Sequence, residues 1–105
     1  MDDFRVLTAI DGGVAVLRVT GELDAATAPT LDEYVRRVEA EQQVLDEIVV
    51  DIGDVTFIDS SGLSVLVAAH KRLRREDTGL VVANPSSQAR RVFEIAGLHS
   101  VLTVR

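Results

Sequence analysis

The chain has 105 residues, 47% of them apolar and 27% charged, with seven Gly and two Pro. This is the composition of one globular domain, 1–105, long enough to bury roughly 60–70% of its unfolded surface, so disordered, collagenous and low-complexity classes are excluded. The formal net charge of −6 opposes phosphate backbones and argues against nucleic acid as a partner.

The absence of cysteine removes disulfide frameworks, thiol catalysis and Cys-ligated zinc. No apolar stretch approaches the roughly 20 residues of a membrane span. Met1-Asp2-Asp3 lacks the basic and apolar regions of a secretory signal, so a cytoplasmic address and no membrane partner are expected. Charge is unevenly spread. Residues 1–60 hold four basic and fourteen acidic side chains, residues 61–105 seven and three. Such asymmetry suits a protein partner that meets a charged face, and equally suits helix ends and solvated faces that collected charge.

Phe4 to Ile10 and Val14 to Thr20 are β-rich runs, and Asp11-Gly12-Gly13 between them is a hairpin signal. The second run is almost all apolar up to Arg18, which predicts a strand buried on most of both faces. Gly21-Glu22-Leu23-Asp24 then leads out of the sheet. Leu31, Tyr34, Val35 and Val38 repeat at helical spacing. Thr27 is the predicted cap of that helix, with Pro29 in its first turn and a fade around Glu41 to Gln43. Glu47 to Ile52 reads as a central strand, broken by Gly53-Asp54, with Val55 to Ile58 partly extended.

A second helix is predicted from Ser60 or Ser61 to Glu76, with Leu63, Leu66, Val67, His70 and Leu73 inward. Leu80 to Ala83 is a buried strand closed by Asn84-Pro85. Gln88 to Ala96 is a third helix, with Ala89, Val92, Phe93 and Ala96 inward and Gly97 as its stop. Val101 to Val104 is the last strand. The order ββαβαβαβ predicts an α/β fold: a mixed parallel and antiparallel sheet with helices packed against it.

Asp59-Ser60-Ser61-Gly62-Leu63 lies where a loop turns into a helix. An acidic or hydroxyl N-cap and a glycine at a tight entry account for such a segment structurally. The longer run Val49-Val50-Asp51-Ile52-Gly53-Asp54-Val55-Thr56-Phe57-Ile58-Asp59-Ser60-Ser61-Gly62-Leu63-Ser64-Val65-Leu66 resembles the phosphorylation motif of the STAS domain family, in its anti-sigma factor antagonist branch. Gly21-Glu22-Leu23-Asp24-Ala25-Ala26-Thr27-Ala28 looks like that family's second signature. Val92-Phe93-Glu94-Ile95-Ala96-Gly97-Leu98 is similar to its third helix and following turn. The three segments occur in the family's order and span nearly the whole chain.

The resemblance implies that Ser61 is a phosphoacceptor, with Ser60 and Ser64 as minor alternatives. It implies a partner anti-sigma factor with serine kinase activity, bound by the unphosphorylated domain so that a sigma factor is released. A serine phosphatase would restore the phosphorylated form. By the same resemblance Asp24, Thr27, Asp59, Ser60, Ser61, Gly62 and Leu63 belong to the partner surface. Asp24 reads also as a turn residue, and Asp59 as an N-cap. Gly53-Asp54 and Ser64 depart from the family's usual Ser-Gly and Gly. The alternative within the same fold is a scaffold or accessory subunit of a transport or stress-signalling assembly without phospho-switching.

A phosphate adds about −1.5 to −2 charges. At a helix start it meets the dipole and free N–H groups, so little change in fold is expected. Asp59 and nearby Asp54 would repel it, and the larger effect is expected at the partner surface, by sterics and repulsion.

Enzyme chemistry is not expected. His70 lies nine residues along the helix from Ser61, roughly 13 Å away at the rise of an α-helix, whereas a serine and its base sit about 3 Å apart. There is no Gly-x-Ser-x-Gly elbow. Two distant histidines, His70 packed and His99 solvated, make a metal improbable. No nucleotide fingerprint exists, so no cofactor is expected and any ATP belongs to the kinase. Lys71, Arg72, Arg74 and Arg75 suit a helix C-terminus, or an acidic partner.

Overall fold

The computed structural model describes residues 3–41 and 44–105. Its elements are β1 (Arg5–Asp11), β2 (Val14–Leu23), α1 (Ala28–Glu41), β3 (Glu47–Ile58), α2 (Ser60–Arg74), β4 (Gly79–Ala83), α3 (Ser87–Ile95), a 3-10 turn (Leu98–Ser100) and β5 (Thr103–Val104). The expected order of strands and helices is the one observed. The predicted fade of α1 reached Gln43, and Gln42-Gln43 lie outside the described residues.

Gly12 and Gly13 both take positive φ, 58° and 84°, as a two-residue type I′ hairpin requires. The turn sets β1 antiparallel to β2, with Asp11 opposite Val14. The sheet order is β1-β2-β3-β4-β5, and β2, β3, β4 and β5 are mutually parallel neighbours. Each parallel step needs a crossover, supplied in turn by α1, α2 and α3.

The core lies on one face of this sheet. Leu17 and Val19 of β2, Ile48 and Val50 of β3 and Leu80 and Val82 of β4 pack in one cluster with Leu31 and Val35 of α1, Leu66 and Leu73 of α2, and Phe93 of α3. The opposite face is more open. Leu7 and Arg18 are exposed, and Val14, Val16 and Val49 half-buried; Val81, between Val49 and Thr103, is buried there. β2 therefore alternates, with Ala15, Leu17 and Val19 fully buried and their neighbours not. The prediction of burial on both faces is corrected: all three crossover helices contribute to a core on one side.

Gly53-Asp54 does not break β3, which runs unbroken for 12 residues. Two register shifts against β2 absorb the irregularity, between Arg18 and Thr20 and between Gly21 and Glu22. Each places an extra β3 residue opposite β2, the arrangement of a bulge, which bends and twists a strand without ending it. Asp51 Oδ1 accepts the Gly53 N–H at 2.9 Å and so partners a backbone group freed from the ladder. Nor does Gly21-Glu22-Leu23 leave the sheet: Leu23 still pairs with Ile58. The two longest strands thus end side by side.

On the helices, Val67, His70 and Val92 are half-buried and Ala96 is exposed, against the inward positions predicted for them. Ala69, not anticipated, is buried on α2. Gly97, with φ 72°, follows the end of α3 as its left-handed stop.

Candidate functional site

The ends of β2 and β3 and the start of α2 meet at Asp59. Its backbone N–H donates to the Leu23 carbonyl at 3.3 Å, a link between the two strand ends. Its extended backbone (φ −124°, ψ −170°) makes it the N-cap of α2. Asp59 Oδ1 accepts the N–H of Ser61 at 2.9 Å and that of Gly62 at 3.4 Å. An aspartate here satisfies two donors that the helix itself cannot.

Gly62 is buried, and a Cβ on it would stand 2.7 Å from Leu23 Cγ and 3.1 Å from Ile58 Cγ1. The glycine lets α2 approach the strand ends closely, and Leu63 beside it is buried. Ser60 is exposed and Ser61 half-buried. The Ser64 hydroxyl donates to the Ser60 carbonyl at 2.8 Å, so its proton is already held by the helix. The Ser61 hydroxyl has no such bond among the described residues.

Two expectations about this turn change. The N–H groups of Ser61 and Gly62 are already occupied by Asp59, whose carboxylate fills the anion position of the helix start. An added phosphate would keep the dipole but not those donors. Asp54 pairs with Thr20, four residues before Ile58, roughly 13 Å back at an ordinary strand rise. It is not beside Ser61.

Asp24 and Thr27 form a closed loop next to this turn. Asp24 Oδ1 accepts the N–H groups of Ala26 at 3.0 Å and Thr27 at 3.2 Å. The Asp24 N–H donates to Thr27 Oγ1 at 3.0 Å, and that hydroxyl donates to the Glu22 carbonyl at 2.6 Å. Thr27 therefore does not cap α1 with its side chain as predicted. The hydroxyl points back into the loop, and the Thr27 carbonyl accepts the N–H of Thr30 at 2.9 Å. Both side chains fix the shape of a loop tied to Asp59 through Leu23.

A groove that the sequence reading did not anticipate, with Ala68 the residue it had not named, completes the surface. About 420 Å³ in volume, it runs along α2 from Ser60 and Ser64 past Val67 and Ala68 to Lys71, walled opposite by Ala96 and Leu98. Its signal in the sequence was the stripe 60, 64, 68, 71, exposed beside the inward core stripe, with half-buried Val67 at its edge. Beyond it Lys71, Arg74 and Arg75 are exposed. Arg72 is not part of that basic patch: it turns to α1 and meets Glu39 at 2.6 Å and Asp32 at 3.8 Å. The Glu39 hydrogen bond, against the opposing effect of burial, holds its guanidinium above its ordinary pKa.

Among the described residues His70 Nδ1 is buried with no hydrogen-bond partner, and no group of three or more His, Asp or Glu stands ready for a metal ion. No helix among them is long and apolar enough to cross a membrane.

The STAS domain model matches residues 5–105. An anti-sigma-B factor antagonist of Listeria monocytogenes is 36% identical over 87 residues, covering 83% of this chain and 75% of its own length. The crystal structure of an anti-sigma factor antagonist from Mycobacterium paratuberculosis superposes with a TM-score of 0.86 at 30% identity, over 97% of this chain and 85% of that one. The Bacillus cell fate determinant SpoIIAA in its phosphorylated form shares the fold, with a TM-score of 0.72 at 22% identity over 98% of this chain and 91% of that one.

Proposed function

The chain belongs to the STAS domain family, and we propose that within it the protein is an anti-sigma factor antagonist switched by phosphorylation of Ser61. It is a regulatory binding protein rather than an enzyme, as its antagonist relatives are. Unphosphorylated, it binds an anti-sigma factor with serine kinase activity, and the sigma factor is released. The kinase, using its own ATP, phosphorylates Ser61 and ends the binding; a serine phosphatase reverses the mark. This takes place in the cytoplasm.

One observation carries the assignment of Ser61. Of the three hydroxyls in the first turn, the Ser64 proton is donated to Ser60 and Ser60 stands outside the Asp59 contacts. Ser61 is held by its backbone to Asp59 at 2.9 Å while its own hydroxyl is unengaged among the described residues. A fixed backbone and a free hydroxyl present a nucleophile in one place to an incoming γ-phosphate. That a fold neighbour exists in a phosphorylated form supports the same reading.

A dianion at Ser61 would lie beside the Asp59 carboxylate, in the same turn as Ser60 and Ser64, which line the α2 groove. The resulting repulsion is borne where a partner must exclude water, so binding suffers more than folding. Asp24 and Thr27 act by shaping the neighbouring loop, and Asp59, Ser60, Gly62 and Leu63 by presenting the turn.

Affinity purification from native cells, with mass spectrometry of partners and of the Ser60–Ser64 peptide, tests the proposal. Recovery of an anti-sigma kinase, with phosphate on Ser61 in the unbound fraction only, is the expected result. Recovery of a transporter or large scaffold with an unmodified peptide would overturn it.

A further inference from the structure

We infer that this chain self-associates through β1, which pairs antiparallel with the β1 of a second copy across a two-fold axis at Thr8. The strand lies at the sheet edge, hydrogen-bonded on one side only. All its residues except Val6 are exposed, and Leu7 and Ile10 stand 61% and 41% exposed. Solitary edges are ordinarily guarded by Lys, Pro or a bulge. β1 has no Lys or Pro, and its register with β2 is unbroken from Arg5 to Asp11.

The hairpin fixes which backbone groups face outward. Asp11 and Val14 close a two-residue turn and form a hydrogen-bonded pair, so Arg5, Leu7, Ala9 and Asp11 direct their N–H and C=O groups to β2. Val6, Thr8 and Ile10 direct theirs away from the sheet. An antiparallel copy centred on Thr8 meets those groups: Thr8 faces Thr8, and Val6 faces Ile10 on either side.

The same centre sets Leu7 against Ala9 and Arg5 against Asp11, at both ends. These are the non-hydrogen-bonded positions, where facing side chains come closest. Neither Arg5 nor Asp11 has an ion-pair partner among the described residues. The segment Arg5-Val6-Leu7-Thr8-Ala9-Ile10-Asp11 is thus complementary to itself in charge and in hydrogen bonding. A slip by two residues instead opposes Asp11 to Asp3, or Arg5 to Gly13. Antiparallel pairing directs the two copies of β2 oppositely, so the Asp59–Ser61 turns emerge at opposite ends of a ten-stranded sheet. Pairing leaves both of them free, and it does not depend on the function proposed for them.

Sedimentation equilibrium of the full chain, from about 1 µM to 1 mM because a single strand pair makes a small interface, tests the inference. A species of twice the 11.4 kDa chain mass is expected to fill in as concentration rises. Thr8→Pro removes an outward N–H without touching the β2 ladder and is expected to give monomer throughout. Arg5→Asp turns two cross-strand attractions into repulsions and should weaken pairing roughly tenfold. Adding Asp11→Arg to Arg5→Asp restores the attraction with reversed sign, and the dimer with it. Circular dichroism verifies the fold of each variant. A wild-type chain that stays monomeric, or a dimer indifferent to both Thr8→Pro and the charge reversal, overturns the inference.

Discussion

Gly62 of α2 lies so close to Leu23 of β2 that a Cβ on the glycine would stand 2.7 Å from Leu23 Cγ. Through this contact the helix start rests on the strand ends. Two effects oppose each other in Gly62→Ala. Helix propensity favours Ala by about 1 kcal/mol, while overpacking costs typically about 1–3 kcal/mol. Leu23 is fully buried and Ile58 nearly so, so neither yields easily and packing should win. The variant is expected to lose about 1–2 kcal/mol in urea unfolding. Unchanged or increased stability would show that Leu23 moves aside freely.

The carboxylate of Asp59 is an acceptor for two N–H groups. Asp59→Ala should cost about 1 kcal/mol, the ordinary worth of an N-cap, and Asp59→Asn, which keeps an acceptor oxygen, much less. Thermal unfolding of the pair separates cap from charge. Equal losses in both variants would mean that the charge, not the oxygen, stabilises the helix.

Arg72 and Glu39 join α2 to α1 across 33 positions of sequence, with side chains only 21% and 12% exposed. Such a shielded, bidentate pair should couple more strongly than a surface ion pair. A double-mutant cycle of Arg72→Met and Glu39→Gln is expected to give a coupling energy of about 1–2 kcal/mol. A value near zero would mean that Asp32, 3.8 Å from Arg72, replaces Glu39 without loss.

Ala68 is exposed on the groove beside the serine turn. Ala68→Arg fills that groove with a good helix former, so the urea midpoint should hardly move. Binding to the cognate anti-sigma factor should fall at least roughly tenfold, as expected for an obstructed apolar contact. Unchanged affinity in a titration would place the docking surface elsewhere.

Periodicity and turn chemistry carried much of this architecture. The hairpin at Gly12-Gly13, the stripe from Leu31 to Val38 and the stop at Gly97 are local devices, and local devices are legible residue by residue. What the chain does not write locally is register. A Gly-Asp step reads as a strand end, yet the long partner β2 carries β3 across it by two bulges. The alternation in β2 was hidden because Val14 and Val16, on the more open face, are as apolar as Leu17 and Val19 within the core. At the site, Asp59 and Gly62 were legible as cap and tight entry. The reversal of Thr27 was not, since its partner is the carbonyl of Glu22, a backbone group that no sequence pattern marks. The groove escaped notice because it is made jointly by α2 and the turn after α3.

The proposed switch is tested most directly by calorimetric titration of the cognate anti-sigma factor with two forms of this chain, unphosphorylated and phosphorylated by that factor in the presence of ATP. Phosphate is expected on Ser61 alone, and its placement in a desolvated interface should weaken binding by at least about thirtyfold. Ser61→Ala should accept no phosphate and still bind. Equal affinity of the two forms, or phosphate carried on Ser60 or Ser64 in place of Ser61, would contradict the proposed mechanism.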